Sequence, residues 1–295
     1  LKYGGSITLE NRFGVNKMEL ISLKYAIFVI VLLVLYYCFP KKYRWYVLLA
    51  GSMAYYVIIC KWYVLFIIFT ICTTYGSTIW IDKLLKEQNA IVKSQKEASD
   101  RQTRKEYKEK GRKKRVAVML FALLCNFGIL AFLKYIPYAG ELGLLLPLGI
   151  SFYTFQSMGY VMDVYREIVE PEKNFLKVAL FVSFFPQIIQ GPIAIYDKLA
   201  GQLYEGHSLR LENLQKGALL VLWGVMKKLV IADRAVNIIN FVMDKPMDFS
   251  GTYVFFAAVV YALQLYADFS GGIDIVRGIA EMFGITMSTT FNPPY

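Results

Sequence analysis

The sequence contains few of the groups from which most enzyme sites are built. Among its 295 residues, histidine occurs once, at His207, and charged residues make up only 19%. Neither GxGxxG nor GxxxxGK[ST], the glycine-rich patterns that hold nucleotide phosphates, is present. No spacing typical of a metal site links the four cysteines, which lie in or beside apolar runs as small apolar residues: Cys38, Cys60, Cys72 and Cys125. The sequence therefore predicts no metal site and no bound cofactor.

What the chain has instead is long apolar runs. Hydrophobic residues make up 57% of it, and its mean hydropathy is +0.43. A membrane span needs about 20 mostly apolar residues. Four runs come close to that length: 20–38, 43–60, 62–80 and 116–133. They predict four membrane spans, the first of which lacks the cleavage site of a signal peptide.

The apolar runs of the second half are interrupted by Gly, Pro, Gln or Lys. They cover residues 142–160, 175–190, 213–232 and 252–267. Interrupted helices occur at membrane depth where protein or a water-filled cavity covers the freed backbone groups. We expect an all-α polytopic membrane protein whose second half forms tilted, short or broken helices around a cavity. The alternative is that some of these helices lie in the membrane interface or are ordinary bundle helices.

The net charge of +11 is concentrated in one segment. Residues 82–115 hold 13 Lys/Arg against 6 Asp/Glu, and the turn at 39–45 is also basic. Basic loops between spans stay on the cytoplasmic side, so both segments are predicted to be cytoplasmic and the N-terminus outside. The charge therefore indicates contact with anionic membrane lipid instead of nucleic acid.

The two ends of the chain differ from the rest. Residues 1–17 are unlike everything that follows, and Met18 directly precedes the first span. We expect translation to start at Met18, with 1–17 a non-native or disordered extension and 18–295 a single membrane domain. The chain ends on FNPPY, an approach to a further element, so it is also expected to be truncated.

Two motifs place amides at membrane depth. LPLGISFYTFQSMGYVMDVYR (146–166) contains Gln156, and FFPQIIQGPI (184–193) contains Gln187 and Gln190. Pro186 and the Gly–Pro pair at 191–192 predict two helix breaks. Such amides either bond between helices or line a pathway, and both interpretations stay open.

A third motif places two acids in an apolar run, YALQLYADFSGGIDI (261–275). A charge at membrane depth costs roughly 2.5–3.5 kcal/mol, so Asp268 and Asp274 need partners or a cavity. We expect DFSGG to turn, with Asp268 capping a new helix near Gly272 and Asp274 in its first turn, paired with Arg277. Ser270 lies between the acids. A structural corner is one interpretation and direct substrate contact the other.

A fourth motif, KKLVIADR (227–234), is basic. By the charge rule its Lys227, Lys228 and Arg234 predict the cytoplasmic end of a helix.

In this order the motifs resemble the membrane-bound O-acyltransferase family, and within it the bacterial polysaccharide O-acetyltransferase branch that includes the alginate enzymes. The resemblance covers most of the chain from residue 20. The matching segments are PLGISFYTFQ (147–156), MDVYR (162–166), FFPQIIQGPI (184–193), KKLVIADR (227–234), YALQLYADFSGGIDI (261–275) and FNPPY (291–295). The D-alanyl transferases for teichoic acid share the fold, but SFYTFQ and MDVYR are more similar to the acetyltransferase branch.

The resemblance implies a ring of tilted helices around a funnel, with an acyl donor on the cytoplasmic side and an acceptor hydroxyl outside. Acetyl-coenzyme A and an acyl carrier are both possible donors, a polysaccharide is the implied acceptor, and an extracytoplasmic partner protein is possible. The family's histidines, including the catalytic base, are expected beyond Tyr295, so no catalytic residue is assigned. The residues predicted to line the funnel or shape it are Gln156, Gln187, Gln190, Asp268, Ser270, Asp274 and Asn292.

His207 does not fit the family pattern, because it lies in LYEGHSLRLEN, which is expected to be an exposed polar loop. Three other functions therefore stay open. The chain could be an inactive membrane fragment or scaffold, a D-alanyl transferase, or a transporter, since broken helices and intramembrane acids also suit transport.

Overall fold

The computed structural model describes residues 21–94, 101–135 and 146–289, apart from the side chains of 94 and 101–104. Within these ranges every regular element is helical, as expected for an all-α protein. Residues 1–17 and Asn292 lie outside them. The α-helices are α1 Leu23–Cys38, α2 Arg44–Cys60, α3 Val64–Ser94, α4 Arg101–Tyr135, α5 Ile150–Tyr165, α6 Phe175–Ser183, α7 Phe185–Gln190, α8 Tyr196–Glu205, α9 Leu211–Met226, α10 Asp233–Met243 and α11 Gly251–Met282.

The four uninterrupted apolar runs form helices α1 to α4. Helical stretches long and apolar enough to cross a membrane are Lys41–Lys93, Lys105–Tyr135 and Gly251–Met282 among the described residues, and α1 is a shorter apolar helix. The first stretch is interrupted at Lys61, whose φ is 48°, an uncommon value outside glycine that separates α2 from α3. The chain is a multi-pass membrane protein.

The chain divides into two compact units. The first comprises the described residues of 49–185 together with Ile195–Ala200. In it α3 and α4 pack against each other and both contact α5, while α6 packs on α3 and α5. Asn126 of α4 donates to Thr73 of α3 at 3.0 Å, and Tyr75 of α3 donates to the Lys173 carbonyl at 3.0 Å. Polar side chains thus link the apolar helices of this unit.

Both predicted breaks in FFPQIIQGPI are confirmed. Helix α6 ends at Ser183, and Phe184 adopts non-helical angles before α7 begins. Pro186 lies in the first turn of α7, where its missing N–H leaves no helical hydrogen bond unmade. The chain leaves the helix again at Gly191 and Pro192. The backbone N–H of Phe185 is satisfied by the Ser52 hydroxyl at 3.1 Å.

The second unit comprises the described residues of Met18–Leu48, Pro186–Ala194 and Gly201–Tyr295. Helix α9 continues into a π-helical segment, Lys227–Ala232, and then directly into α10. The prediction that 227–234 ends a helix is therefore wrong, because helical backbone runs unbroken through it. A π segment inserts an extra residue and often marks a functional position.

Helix α11 is continuous over 32 residues, Gly251–Met282. The expected turn at DFSGG is absent, so Asp268 caps no new helix and Asp274 lies in no first turn. The reason is packing: Gly271 and Gly272 are the places where other backbone and side-chain groups touch α11. Glycine is used here for close approach instead of for a turn.

Candidate functional site

Helices α9 and α11 of the second unit touch backbone to backbone along a glycine seam. A Cβ added to Gly224 would lie 2.4 Å from the Gly271 carbonyl oxygen, and one added to Gly217 would lie 2.5 Å from that of Gly278. The two glycines are seven residues apart on each helix. The later glycine of α9 meets the earlier glycine of α11, so the two helices run antiparallel. Small residues permit this approach, which is typical of membrane helix pairs.

The glycine seam leads directly to an ion-pair cluster, which we define as Lys227, Lys228, Asp268, Asp274 and Arg277. Lys227 donates to Asp274 at 2.7 Å, Lys228 to Asp268 at 2.5 Å, and Arg277 to Asp274 at 3.3 Å. The predicted pairing of Asp274 with Arg277 is confirmed. The two lysines come from the π segment and both acids from α11, so the cluster joins the two helical elements.

The cluster lies well inside its helices. Tyr37 at the end of α1 donates to the Met282 carbonyl at 2.7 Å, which places the ends of α1 and α11 together. Asp274 and Asp268 lie about 12 and 21 Å along α11 from that end, at 1.5 Å per residue. Lys228 and Asp268 keep 26% and 33% of their side-chain surface exposed. Charged groups within an apolar helix persist where they pair with one another, as these do.

Two predicted amides lie in the same unit as the cluster. The Gln190 amide packs on α11, where a Cβ at Gly272 would fall 2.3 Å from its Oε1. Gln187 donates to the Pro192 carbonyl at 2.5 Å and so closes the break after α7. Its Oε1 is buried and has no hydrogen-bond partner among the described residues. Gln190 therefore packs on the face of α11 that carries Gly272 and Asp268, roughly opposite Asp274, because residues two apart on a helix point to opposite sides.

Ser270, Asp274 and Arg277 follow one another at four- and three-residue spacing, which places them on one face of α11. Ser270 is buried, and neither its Oγ nor the Arg277 Nε has a hydrogen-bond partner in the described part of the chain. Buried polar atoms of this kind are usually satisfied by ordered water or by a ligand.

Gln156 belongs to the first unit. Its Nε2 donates to the Phe181 carbonyl at 2.9 Å, which links α5 to α6. That bond is the helix–helix contact that the sequence left open as one interpretation.

His207 is held in place, contrary to the expectation of an exposed loop. Its Nε2 lies 2.8 Å from the Gln202 carbonyl, and its backbone N–H donates to the Tyr36 hydroxyl at 3.0 Å. Its carbonyl accepts from Arg44, which also donates to carbonyls at the end of α1. His207 thus fastens the loop before α9 to α1, and no acid–base role follows from these contacts.

Sequence reasoning missed Lys227 and Lys228 as members of the site. The signal was available, because two acids in an apolar run need cations and the nearest pair of lysines in an otherwise apolar stretch is KKLVIADR. The charge rule instead assigned those lysines to a helix end.

The chemistry of the cluster is that of charged groups paired with one another. It offers ammonium, guanidinium and carboxylate groups that hold one another, together with neighbouring amides and a hydroxyl. No group of three or more His, Cys, Asp or Glu side chains that could hold a metal ion occurs among the described residues. The arrangement suits binding hydroxyl-bearing or charged groups more than nucleophilic catalysis.

The fold and this site define a multi-pass helical membrane protein with an ion-pair cluster between two of its helical elements. Its curated relatives include O-acetyltransferases of the membrane-bound O-acyltransferase family, as the motif order indicated. The peptidoglycan O-acetyltransferase of Helicobacter pylori is 32% identical over 215 residues, 60% of this chain and 41% of the relative. The probable alginate O-acetylase AlgI of Pseudomonas syringae pv. tomato is 35% identical over 153 residues, 51% and 29%.

A more distant relative is the teichoic acid D-alanyltransferase of Bacillus subtilis, 25% identical over 154 residues, 50% of this chain and 38% of the relative. No family model matches the chain. The chain spans less than half the length of the curated relatives it matches.

Proposed function

We propose that this protein acts as a membrane-bound O-acyltransferase that transfers an acetyl group to hydroxyls of an exported or cell-wall polysaccharide. The observation that carries the proposal is the 32% identity over 215 residues to a peptidoglycan O-acetyltransferase. The alginate O-acetylases support the same reaction class at similar identity. D-alanyl transfer has weaker support, because that relative is only 25% identical.

The reaction joins a hydroxyl to a thioester. The acceptor oxygen attacks the acetyl carbonyl, a C–O bond forms, the C–S bond breaks, and the hydroxyl proton is taken by a base while the thiolate leaves. Acetyl-coenzyme A and an acyl carrier both supply such a thioester. A positioned base contributes roughly 10²- to 10⁴-fold to this kind of step. We assign that base to no described residue, since His207 is engaged by the Gln202 carbonyl.

The described residues contribute a lining in this proposal. Ser270, Asp274 and Arg277 share one face of α11, where the Ser270 Oγ and the Arg277 Nε have no hydrogen-bond partner in the described part of the chain, and in this proposal a sugar hydroxyl bonds there. Gln187 shapes the break after α7. We propose the donor on the cytoplasmic side, the acceptor outside, and an extracytoplasmic partner protein that receives or completes the transfer.

The test uses the gene in its own cell. Deletion is expected to abolish base-labile acetyl esters on envelope polysaccharide, measured as acetate released by mild base and identified by mass spectrometry. Wild-type complementation restores them. Asp268→Asn leaves the Lys228 ammonium without its anion and is expected to lower the ester content at least tenfold, with membrane abundance checked by immunoblot. The matched control, Glu109→Gln, removes an exposed acid of α4 and keeps the wild-type content.

Each alternative gives a different result. Loss of D-alanine instead of acetate assigns the protein to D-alanyl transfer. Unchanged esters with altered export of unmodified polymer support transport, and unchanged esters with unchanged export support a scaffold. Any of these three results contradicts the proposal.

A further inference from the structure

The first unit contains a cavity of about 370 Å³ that none of the predicted site residues lines. It is bounded by one face of α3, the end of α5 and the loop that follows α5. The lining residues are Asp82, Leu85, Lys86, Asn89, Val164, Glu167, Ile168, Val169, Glu170, Pro171 and Lys173.

The cavity lies at the boundary between apolar and polar helix surface. Asp82 is the first charged residue of α3 after its apolar run, and on α4 the apolar run begins directly after Arg115. The two boundaries lie within about 9 Å of each other along α3, because Gln88, six residues beyond Asp82, reaches Arg115 at 3.5 Å. Arg115 in turn pairs with Glu167 beside the cavity at 2.7 Å. In a membrane protein this boundary is the level of the lipid headgroups.

The charges around the cavity are of both signs, and most are already neutralised. Lys86 pairs with Asp82, and Glu167 pairs with Arg115. That leaves Glu170 and Lys173, one acid and one base, whose exposed side chains have no ion-pair partner within the described ranges. Apolar side chains complete the lining, chiefly those of Leu85, Val164 and Val169.

The loop that carries these charges has a fixed shape. The N–H of Ile168 bonds to the Asp163 carbonyl and that of Glu167 to the Val164 carbonyl, at 3.0 and 3.1 Å, which ends α5 in a Schellman motif. Glu167 takes the left-handed position with φ 61°, where glycine is usual. Its ion pair with buried Arg115 ties the loop to α4, so the cavity is formed before any ligand enters.

We propose that this cavity binds the headgroup of a zwitterionic phospholipid with a primary ammonium, phosphatidylethanolamine, with Lys173 at the phosphate and Glu170 at the ammonium. A zwitterion satisfies both free charges at once. An anionic headgroup leaves Glu170 unpaired, and a trimethylammonium group has no N–H to donate to a carboxylate. The lipid's glycerol end meets the apolar lining. This proposal does not depend on the proposed acetyl transfer.

The test is native mass spectrometry of the purified chain in detergent, titrated with dioleoyl phosphatidylethanolamine, its N-methyl and N,N-dimethyl derivatives, phosphatidylcholine and phosphatidylglycerol. Affinity is expected to fall with each methyl group, with phosphatidylethanolamine about fivefold tighter than phosphatidylcholine, the size of one hydrogen bond. Soluble glycerophosphoethanolamine is expected to bind weakly, because it lacks the acyl chains. This comparison shows whether the cavity binds a whole lipid or only a free headgroup.

Variants locate the site. Glu170→Gln is expected to remove the preference for phosphatidylethanolamine over phosphatidylcholine, and Lys173→Gln to weaken both lipids. The matched controls Glu109→Gln and Lys108→Gln change exposed charges of α4 outside the cavity and leave the preference intact. Equal binding across the methylation series in the unmodified chain overturns the proposal without any variant. So does tightest binding of phosphatidylglycerol that only Lys108→Gln weakens, since the basic helix would then be the binding surface.

Discussion

Single glycines set how closely α9 and α11 approach. At Gly224 a methyl group would lie 2.4 Å from the Gly271 carbonyl oxygen, so Gly224→Ala must push the helices apart. We expect it to lower the free energy of unfolding by about 1–3 kcal/mol, as overpacking does. The control is Gly76→Ala in α3, where nothing lies within 4 Å and alanine is expected to be neutral or slightly stabilising. Chemical denaturation in detergent measures the free energy of unfolding of both variants. Equal effects would contradict the close approach of α9 and α11 at Gly224.

The ion pair of Lys228 with Asp268 tests whether the ion-pair cluster stabilises the second unit. Lys228→Met leaves the Asp268 carboxylate without its cation, and Asp268→Leu leaves the Lys228 ammonium without its anion. Each is expected to cost about 1–3 kcal/mol, between the values for exposed and fully buried pairs, because both side chains are partly exposed.

The double variant contains neither charge of the pair. It is expected to lower the free energy of unfolding by less than the sum of the two single variants. A double-mutant cycle on unfolding free energies measures the difference. Strict additivity would show that Lys228 and Asp268 do not interact.

At the scale of elements, the π segment fixes the rotation of α10 relative to α9. Deleting Val230 removes one residue, so α10 turns by about 100° and its buried side chains, Ile239 and Val242, leave their contacts. We expect a clear loss of thermal stability. Val230→Ala shortens the same exposed side chain without changing the rotation, and it is expected to be nearly neutral. A deletion as mild as the substitution would contradict this role of the π segment.

Local chemistry was enough to predict some elements and not others. Proline lacks a backbone N–H and restricts the residue before it, so Pro186 and the Gly–Pro pair at 191–192 were enough to predict the breaks around α7. DFSGG could not, because glycine is compatible both with a turn and with a close helix contact, and only the partner helix α9 decides between them. Lys227 was misassigned for the same reason: its partner, Asp274, is 47 residues away.

At the scale of the whole molecule, the predicted orientation is testable. We expect the segment 82–115 to be cytoplasmic and the turn at Lys61 to face outside. In a variant with its four cysteines replaced by serine, Lys108→Cys is expected to react with a membrane-impermeant maleimide only in inverted vesicles. Lys61→Cys is expected to react only in intact cells. The opposite pattern would reverse the orientation and place the N-terminus inside.

The glycine seam also determines how the second unit can move. The two backbones touch at the glycines, and the side chains of Ile275 and Val221 pack against the glycines of the facing helix, so sliding or spreading of α9 and α11 would break these contacts. We therefore expect α9 and α11 to stay together in any motion of the unit, with the ion pairs between the π segment and α11 kept. The end of the pair next to Gly206 and Gly284 is fastened to α1 and the turn after it, because Arg44 donates to the His207 carbonyl and Tyr37 to the Met282 carbonyl. We therefore expect a displacement of α1 to be transmitted along α9 and α11 to the ion-pair cluster.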